Sequence, residues 1–247
     1  MRNYVRQQSA GEIIRNALEI FRDNFLVVFL AYFLLILPFI PVYINIDRMV
    51  EKELWIELII AFVIYILLIT LSSSVTTILI SDICLGNKPN LLRSFKRVFS
   101  LKLLGKILWT GILLMVIVTI GLILFIIPGL IFMCWFMISN NIVILEGLRG
   151  YKALKRSKLL GKGYYMRNGG LYIFTVILSS LMQSILQILA DRGLLFFMQY
   201  RAIKIFEPII IGFFTIIVLI MFVLIYYDLR ARKEGYDSIK LAEDLKH

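Results

Sequence analysis

Three carboxylates, Asp82, Glu146 and Asp228, stand at the ends of apolar runs, in the strings Ile80-Ser81-Asp82, Ile144-Leu145-Glu146 and Tyr226-Tyr227-Asp228, and basic residues follow each. Carboxylates that converge from different helices can act on water as general acid and base, or relay protons. An acid at a helix C-terminus also opposes the helix dipole and needs a cation beside it. Structural ion pairing is therefore the expected role of all three. Other parts of an active site are missing. The sole histidine is His247, which removes an imidazole base and an imidazole metal centre. There is no Gly-x-Ser-x-Gly elbow, and Gly105-Lys106 and Gly161-Lys162 lack the upstream glycine of a phosphate loop. Cys84 and Cys134 fall at or inside apolar runs, which argues against a disulfide framework or metal cluster. The expectation is a protein with no catalytic residues, resident metal or cofactor. A membrane hydrolase using the three acids is the weakest alternative.

Neutral polar residues form a second set. Thr175, Ser179, Gln183 and Gln187 recur every fourth position and share one helix face; Ser73 and Thr77 have the same spacing, and Asn140 and Asn141 interrupt a further apolar run. These eight are candidate cavity-lining residues. Such groups avoid lipid and hydrogen-bond between helices, or they line a hydrated groove for a headgroup, peptide or small solute. In the second case spans two, four and five would wall a small channel or secondary transporter.

The elements that must position these groups follow from composition. The chain is 60% hydrophobic and 17% charged, with a mean hydropathy of +0.88, far more apolar than a soluble domain. Its apolar residues come in blocks of the length that crosses a hydrocarbon core, without the alternation of barrel strands. Six spans are expected, at about 25–46, 54–80, 108–127, 130–145, 171–190 and 208–227, followed by a tail at 228–247. No cleavable leader is expected, because the first run is too long for one. All of the 27 Lys and Arg residues except Arg48, Lys52, Arg192, Arg201 and Lys204 fall on one side of this arrangement. Basic residues are retained in the cytoplasm, so both termini are expected inside. The net charge of +11 then reads as a topology signal, and no nucleic-acid partner is expected. Ile127-Pro128-Gly129-Leu130 reads as a tight outer turn, with Pro ending one helix and Gly permitting the reversal.

A threefold pattern runs through the basic side. Lys-Leu-Leu-Gly-Lys occurs at 102–106 and again at 158–162. Amphipathic cytoplasmic helices are expected at about 9–22, 90–101 and 148–161, each leading into a hairpin of two spans. Ser9-Ala10-Gly11-Glu12 is a capping box. Arg93, Lys96 and Arg97 share a face of the second helix, and Arg149, Lys152, Lys155 and Arg156 share a face of the third. These seven are the candidate contacts to anionic lipid headgroups. Ala153, Ser157 and Gly161 make a small-residue ridge suited to close packing. The whole is an all-α integral membrane protein in a single domain, 1–247.

Gly11-Glu12-Ile13-Ile14, Leu85-Gly86-Asn87-Lys88-Pro89, Ile127-Pro128-Gly129, Glu146-Gly147 with Ala153-Leu154 and Arg156-Ser157, and Tyr227-Asp228-Leu229-Arg230 occur in that order. Together they resemble the membrane domain family of prokaryotic glycerophosphoryl diester phosphodiesterases, specifically its free-standing relatives that lack the catalytic barrel. The resemblance implies a prokaryotic cytoplasmic membrane and this fold, but carries over no catalytic residue. The expected function is interaction with anionic lipid or an amphiphile, or service as membrane partner of a transport or antimicrobial-peptide protection system.

Overall fold

A computed structural model of the chain describes residues 4–191 and 200–235. Among the described residues the secondary structure is helical, without strands: α1 (Ala10–Asp23), α2 (Phe25–Ile36), a 3-10 turn (Leu37–Phe39), α3 (Ile40–Ile44), α4 (Ile46–Glu51), α5 (Trp55–Cys84), α6 (Leu91–Val98), α7 (Leu101–Leu124), α8 (Ile126–Phe136), α9 (Ser139–Leu145), α10 (Tyr151–Gly161), α11 (Tyr165–Asp191) and α12 (Tyr200–Glu234). Among the described residues six segments are long and apolar enough to cross a membrane: Phe25–Ile44, Trp55–Cys84, Leu101–Leu124, Ile127–Leu145, Tyr165–Ile185 and Pro208–Glu234. The chain is a multi-pass, all-helical membrane protein.

α2 packs on α5, α7 on α8 and α11 on α12, while α12 also touches α1, α2, α3, α5, α9 and α10. The core surrounds one half of α12, where Ile216, Leu219–Met221 and Val223–Leu229 are buried. Facing them are Ile13, Ala17 and Ile20 of α1, Val28 and Phe33 of α2, Val75 and Ile78–Ile80 of α5, and Ile142–Ile144 of α9. The opposite half of the bundle keeps its apolar side chains outward: Ile56 of α5 is 72% exposed and Ile123 of α7 is 78% exposed. Apolar surface on that scale is stable where the solvent is hydrocarbon.

Helix boundaries differ from the expected ones in instructive places. The second basic segment breaks at Phe99–Ser100, so Lys102–Lys106 belongs to the long α7 rather than to a loop before a span at 108. α10 begins only at Tyr151, after a loop from Glu146 to Gly150, and α11 begins at Tyr165, ahead of the expected 171. The turn expected at Pro128-Gly129 falls earlier. α7 ends at Leu124, the extended Phe125 alone reverses the chain, and Pro128 lies in the first turn of α8, where its missing N–H costs nothing. Gly129 serves close approach: a Cβ there would press on the Leu122 backbone nitrogen at 3.0 Å. Span six does not end at Asp228. α12 continues to Glu234, held by i,i+4 pairs between Asp228 and Arg232 and between Arg230 and Glu234, and stops at Gly235 with φ +58°. Residues 236–247, including His247, lie outside the described residues, as does the side chain of Gln187.

Phe21, Phe25, Phe29 and Phe33 form a ladder against Phe213, with the Phe25 and Phe213 rings stacked at 5.7 Å. Next to it, Gly212 lies so close to Phe33 that an added Cβ would overlap the ring. Phe33 is buried. Gly212→Val is expected to destabilise the fold by about 1–3 kcal/mol, read as a lower thermal midpoint in detergent, with Phe33→Leu recovering part of the loss.

Candidate functional site

The polar groups of the protein converge at the end of the bundle where α5, α9 and α12 finish and α7 and α11 begin. Its centre is Asp228, with 0% of its surface exposed. Oδ1 accepts hydrogen bonds from the Gln8 backbone N–H at 2.7 Å and from Arg232 Nε at 2.8 Å. Oδ2 accepts from the Arg167 guanidinium. The same two arginines donate to the Gln8 carbonyl, at 3.1 Å from Arg167 and 2.8 Å from Arg232. Tyr164 offers its ring to both, with each guanidinium carbon 5.1 Å from the centroid. Gln8 is held by its own side chain as well: Nε2 donates to the Tyr4 carbonyl, and Asn16 Nδ2 donates to Oε1. One buried carboxylate thus joins the N-terminal segment to α11 and α12.

Glu146 holds a second cluster. Arg156 of α10 reaches it with Nε at 3.0 Å from Oε2 and also pairs with Glu234, which takes Arg230 Nε at 2.9 Å. The Tyr226 hydroxyl donates to Glu146 Oε1 at 3.1 Å. Burial works against the Arg156 charge, but the bonds to Glu146 and Glu234 outweigh it and raise its pKa above the ordinary arginine value. Arg156 therefore faces inward, not toward headgroups.

The third acid is placed differently. Asp82 feels the charges of Arg93 and Arg97, but no described cation lies within ion-pair distance of it. Arg97 instead donates to the Ile144 carbonyl at 3.1 Å, and Lys106 Nζ donates to the Gly147 carbonyl at 2.7 Å. These cations satisfy carbonyls at the end of α9, which the helix itself cannot. Of the other candidate headgroup residues, Arg93, Lys96, Arg149, Lys152 and Lys155 are exposed. Arg149 lies over Trp109 at 5.7 Å. Ala153, Ser157 and Gly161 are buried, and Ser157 Oγ donates to the Trp135 carbonyl at 2.8 Å.

The polar stripes belong to helices with different main neighbours. α5 packs on α9, whereas α11 packs on α8 and α12. Ser73, Thr175 and Ser179 donate to carbonyls of their own helices, and Gln183 is half-buried. Ser72 Oγ, Thr77 Oγ1 and Asn141 Nδ2 are buried without a hydrogen-bond partner. Span four is broken at Met137–Ile138, between α8 and α9. Beside the break, Asn140 lines a cavity of about 350 Å³ with Ser139, Tyr172, Met115, Met133 and Met137.

Sequence reasoning passed over Gln8 and Arg167, and it meets Arg230, Arg232 and Glu234 only as parts of a C-terminal motif, not as ion-pair partners. The i,i+4 spacing of Asp228 with Arg232 and of Arg230 with Glu234 was a usable signal. Gln8 had none, because it binds through its backbone. No family model, curated protein or solved structure matches the chain.

Asp228→Asn leaves Arg167 and Arg232 facing each other without their counter-charge. An expected loss of about 3–5 kcal/mol, read by thermal unfolding in detergent, checks the role of the pair. The adjoining cap of α1 carries a pH signature. Hydrogen bonds from the Ser9 amide and Arg6 hold the Glu12 carboxyl at about 2. This folded value lies below the ~4.3 of an unfolded chain, so the stabilisation is complete above that value and is lost as pH falls through about 2. Hydrogen-exchange protection at the start of α1 should fall between pH 4 and 2, and Glu12→Gln should remove that dependence.

Proposed function

We propose that the protein is a non-catalytic, six-span protein of the cytoplasmic membrane, with both termini inside, whose charged end grips anionic lipid headgroups. Three hairpins, led by α1, α6 and α10, build that end. The grip would let it handle lipid or an amphiphile, or serve as the membrane partner of a transport or antimicrobial-peptide protection system. One observation carries this reading. At the charged end, exposed cations on α6 and α10 alternate with exposed apolar side chains, among them Leu92, Phe99, Leu101 at 88%, Tyr151, Leu159 and Met166 at 91%. Lys and Arg at an anionic surface contribute about 1 kcal/mol each, and apolar side chains between them dip below the headgroups. The positive-inside rule supports the orientation. The resemblance to the phosphodiesterase membrane domain family rests on its motifs alone and supports location rather than activity.

A second reading, a small-solute path, is favoured by the break in span four and the unpartnered Thr77 and Asn141 where α5 and α9 pack. It predicts that Thr77→Val with Asn141→Leu abolishes flux into liposomes.

The lipid reading is tested with brominated lipids, using Trp109 beneath Arg149 and Trp135 beneath Lys158 as reporters. Brominated phosphatidylglycerol should quench at several-fold lower mole fraction than brominated phosphatidylcholine. Changing Arg93, Lys96, Lys152 and Lys155 to Gln should abolish the difference. Equal quenching by both lipids in the unaltered protein would overturn the proposal.

A further inference from the structure

The end of the bundle opposite the cations of α6 and α10 has a feature that the lipid reading does not use. Pro38 lies in the 3-10 turn and Pro41 in the first turn of α3. Neither can donate a backbone hydrogen bond, so the regular ladder of span one gives way here to the 3-10 turn. Above the turn α2 lies along α5; beyond it α3 packs on α12 instead, and α4 returns to α5. The space left between them is a groove of about 550 Å³ lined by Leu34, Leu35, Pro38, Phe39, Val42 and Met49 on one side, with Ile60, Ala61, Ile64 and Leu68 of α5 on the other. That volume is within the ~300–1,000 Å³ of small-molecule sites. The lining contains a single charged residue, Glu57, near the start of α5. No described residue pairs with it, although Arg48 and Lys52 are on the neighbouring α4 and its C-cap. From Glu57 to Leu68 the groove wall runs about 16 Å at 1.5 Å per residue, the length of one dodecyl chain.

We propose that this groove binds a single-chain cationic amphiphile, with the ammonium head on the Glu57 carboxylate and the tail lying along Ala61, Ile64 and Leu68. Charge complementarity selects the head. A carboxylate at the mouth of an apolar slot disfavours anionic amphiphiles and gains nothing from neutral ones. The slot takes one chain, which sets it apart from the two chains of a membrane phospholipid. The site is at the opposite end of α5 from the cationic end and stands independently of the lipid reading.

The probe is dodecyltrimethylammonium, titrated calorimetrically into the full-length protein in phosphatidylcholine nanodiscs, with empty nanodiscs subtracted for bulk partition. Saturable binding of one equivalent is expected, and Glu57→Gln should weaken it by at least about tenfold while leaving the weaker binding of dodecanol unchanged. Ala61→Phe, which fills the slot and keeps the carboxylate, should weaken both. Neither substitution should alter the phosphatidylglycerol preference at the other end. Equal affinity for dodecanol, unchanged binding in Glu57→Gln, or unchanged binding in Ala61→Phe would each overturn the proposal. So would displacement of the probe by phosphatidylethanolamine in the nanodisc, which would make the occupant a membrane lipid. If Ala61→Phe does not fold, the Glu57→Gln result decides alone, since that side chain is exposed and its replacement is isosteric.

Discussion

A carboxylate shut away from water must be answered by cations and hydrogen-bond donors, or its burial costs several kcal/mol. Asp228 meets that demand with two guanidinium groups and a backbone N–H drawn from three parts of the chain. Each donor has been recruited from a different element, so the requirement is also a set of distance restraints. The segment before α1 cannot leave without taking a backbone donor from Asp228 and the Gln8 carbonyl from both arginines. α11 cannot slide along α12 without taking Arg167 off its acceptor. Attraction between helices in lipid is weak, because the hydrocarbon solvates apolar side chains as well as a neighbour does. A buried polar knot is therefore the kind of interaction that can hold register where apolar contact alone does not.

The second cluster extends the same logic. Glu146 caps α9, and Arg156 joins it to Glu234 near the end of α12. Together the two knots bring four helices and the N-terminal segment into one plate of paired charge, with Asp228 fully buried and its neighbours half-buried. Away from that plate many apolar side chains face outward, and a groove opens between α2, α3, α4 and α5.

The spans were legible because twenty-residue apolar runs have few alternatives to crossing a membrane. The Ser9–Glu12 cap was legible because its two reciprocal bonds need only local spacing. Helix ends were not, because Lys102–Lys106 and Arg230–Glu234 are good helix formers and hydropathy alone assigns them to loops. Reading Asp82, Glu146 and Asp228 as equivalent rested on their similar strings. In the structure Asp228 has its cations from α11 and its own helix, Glu146 has its cation from α10, and Asp82 has none within ion-pair distance among the described residues. The break at Met137–Ile138 has no Pro or Gly to announce it, and the groove beside Glu57 depends on which neighbour α3 selects after Pro38. Both are decided by tertiary packing, which a single sequence does not display.

α5 spans 30 residues, about 45 Å at 1.5 Å per residue, against a hydrocarbon slab of about 30 Å. The surplus has to be absorbed by tilting, by local thickening of the bilayer, or by projecting the final turns beyond it. Those final turns are the ones buried in protein from Ser72 onward, so the plate of charge has a natural support beyond the oil. A thicker bilayer would draw on that surplus and a thinner one would increase it. Membrane thickness is thus a mechanical input that this helix would feel along its whole length.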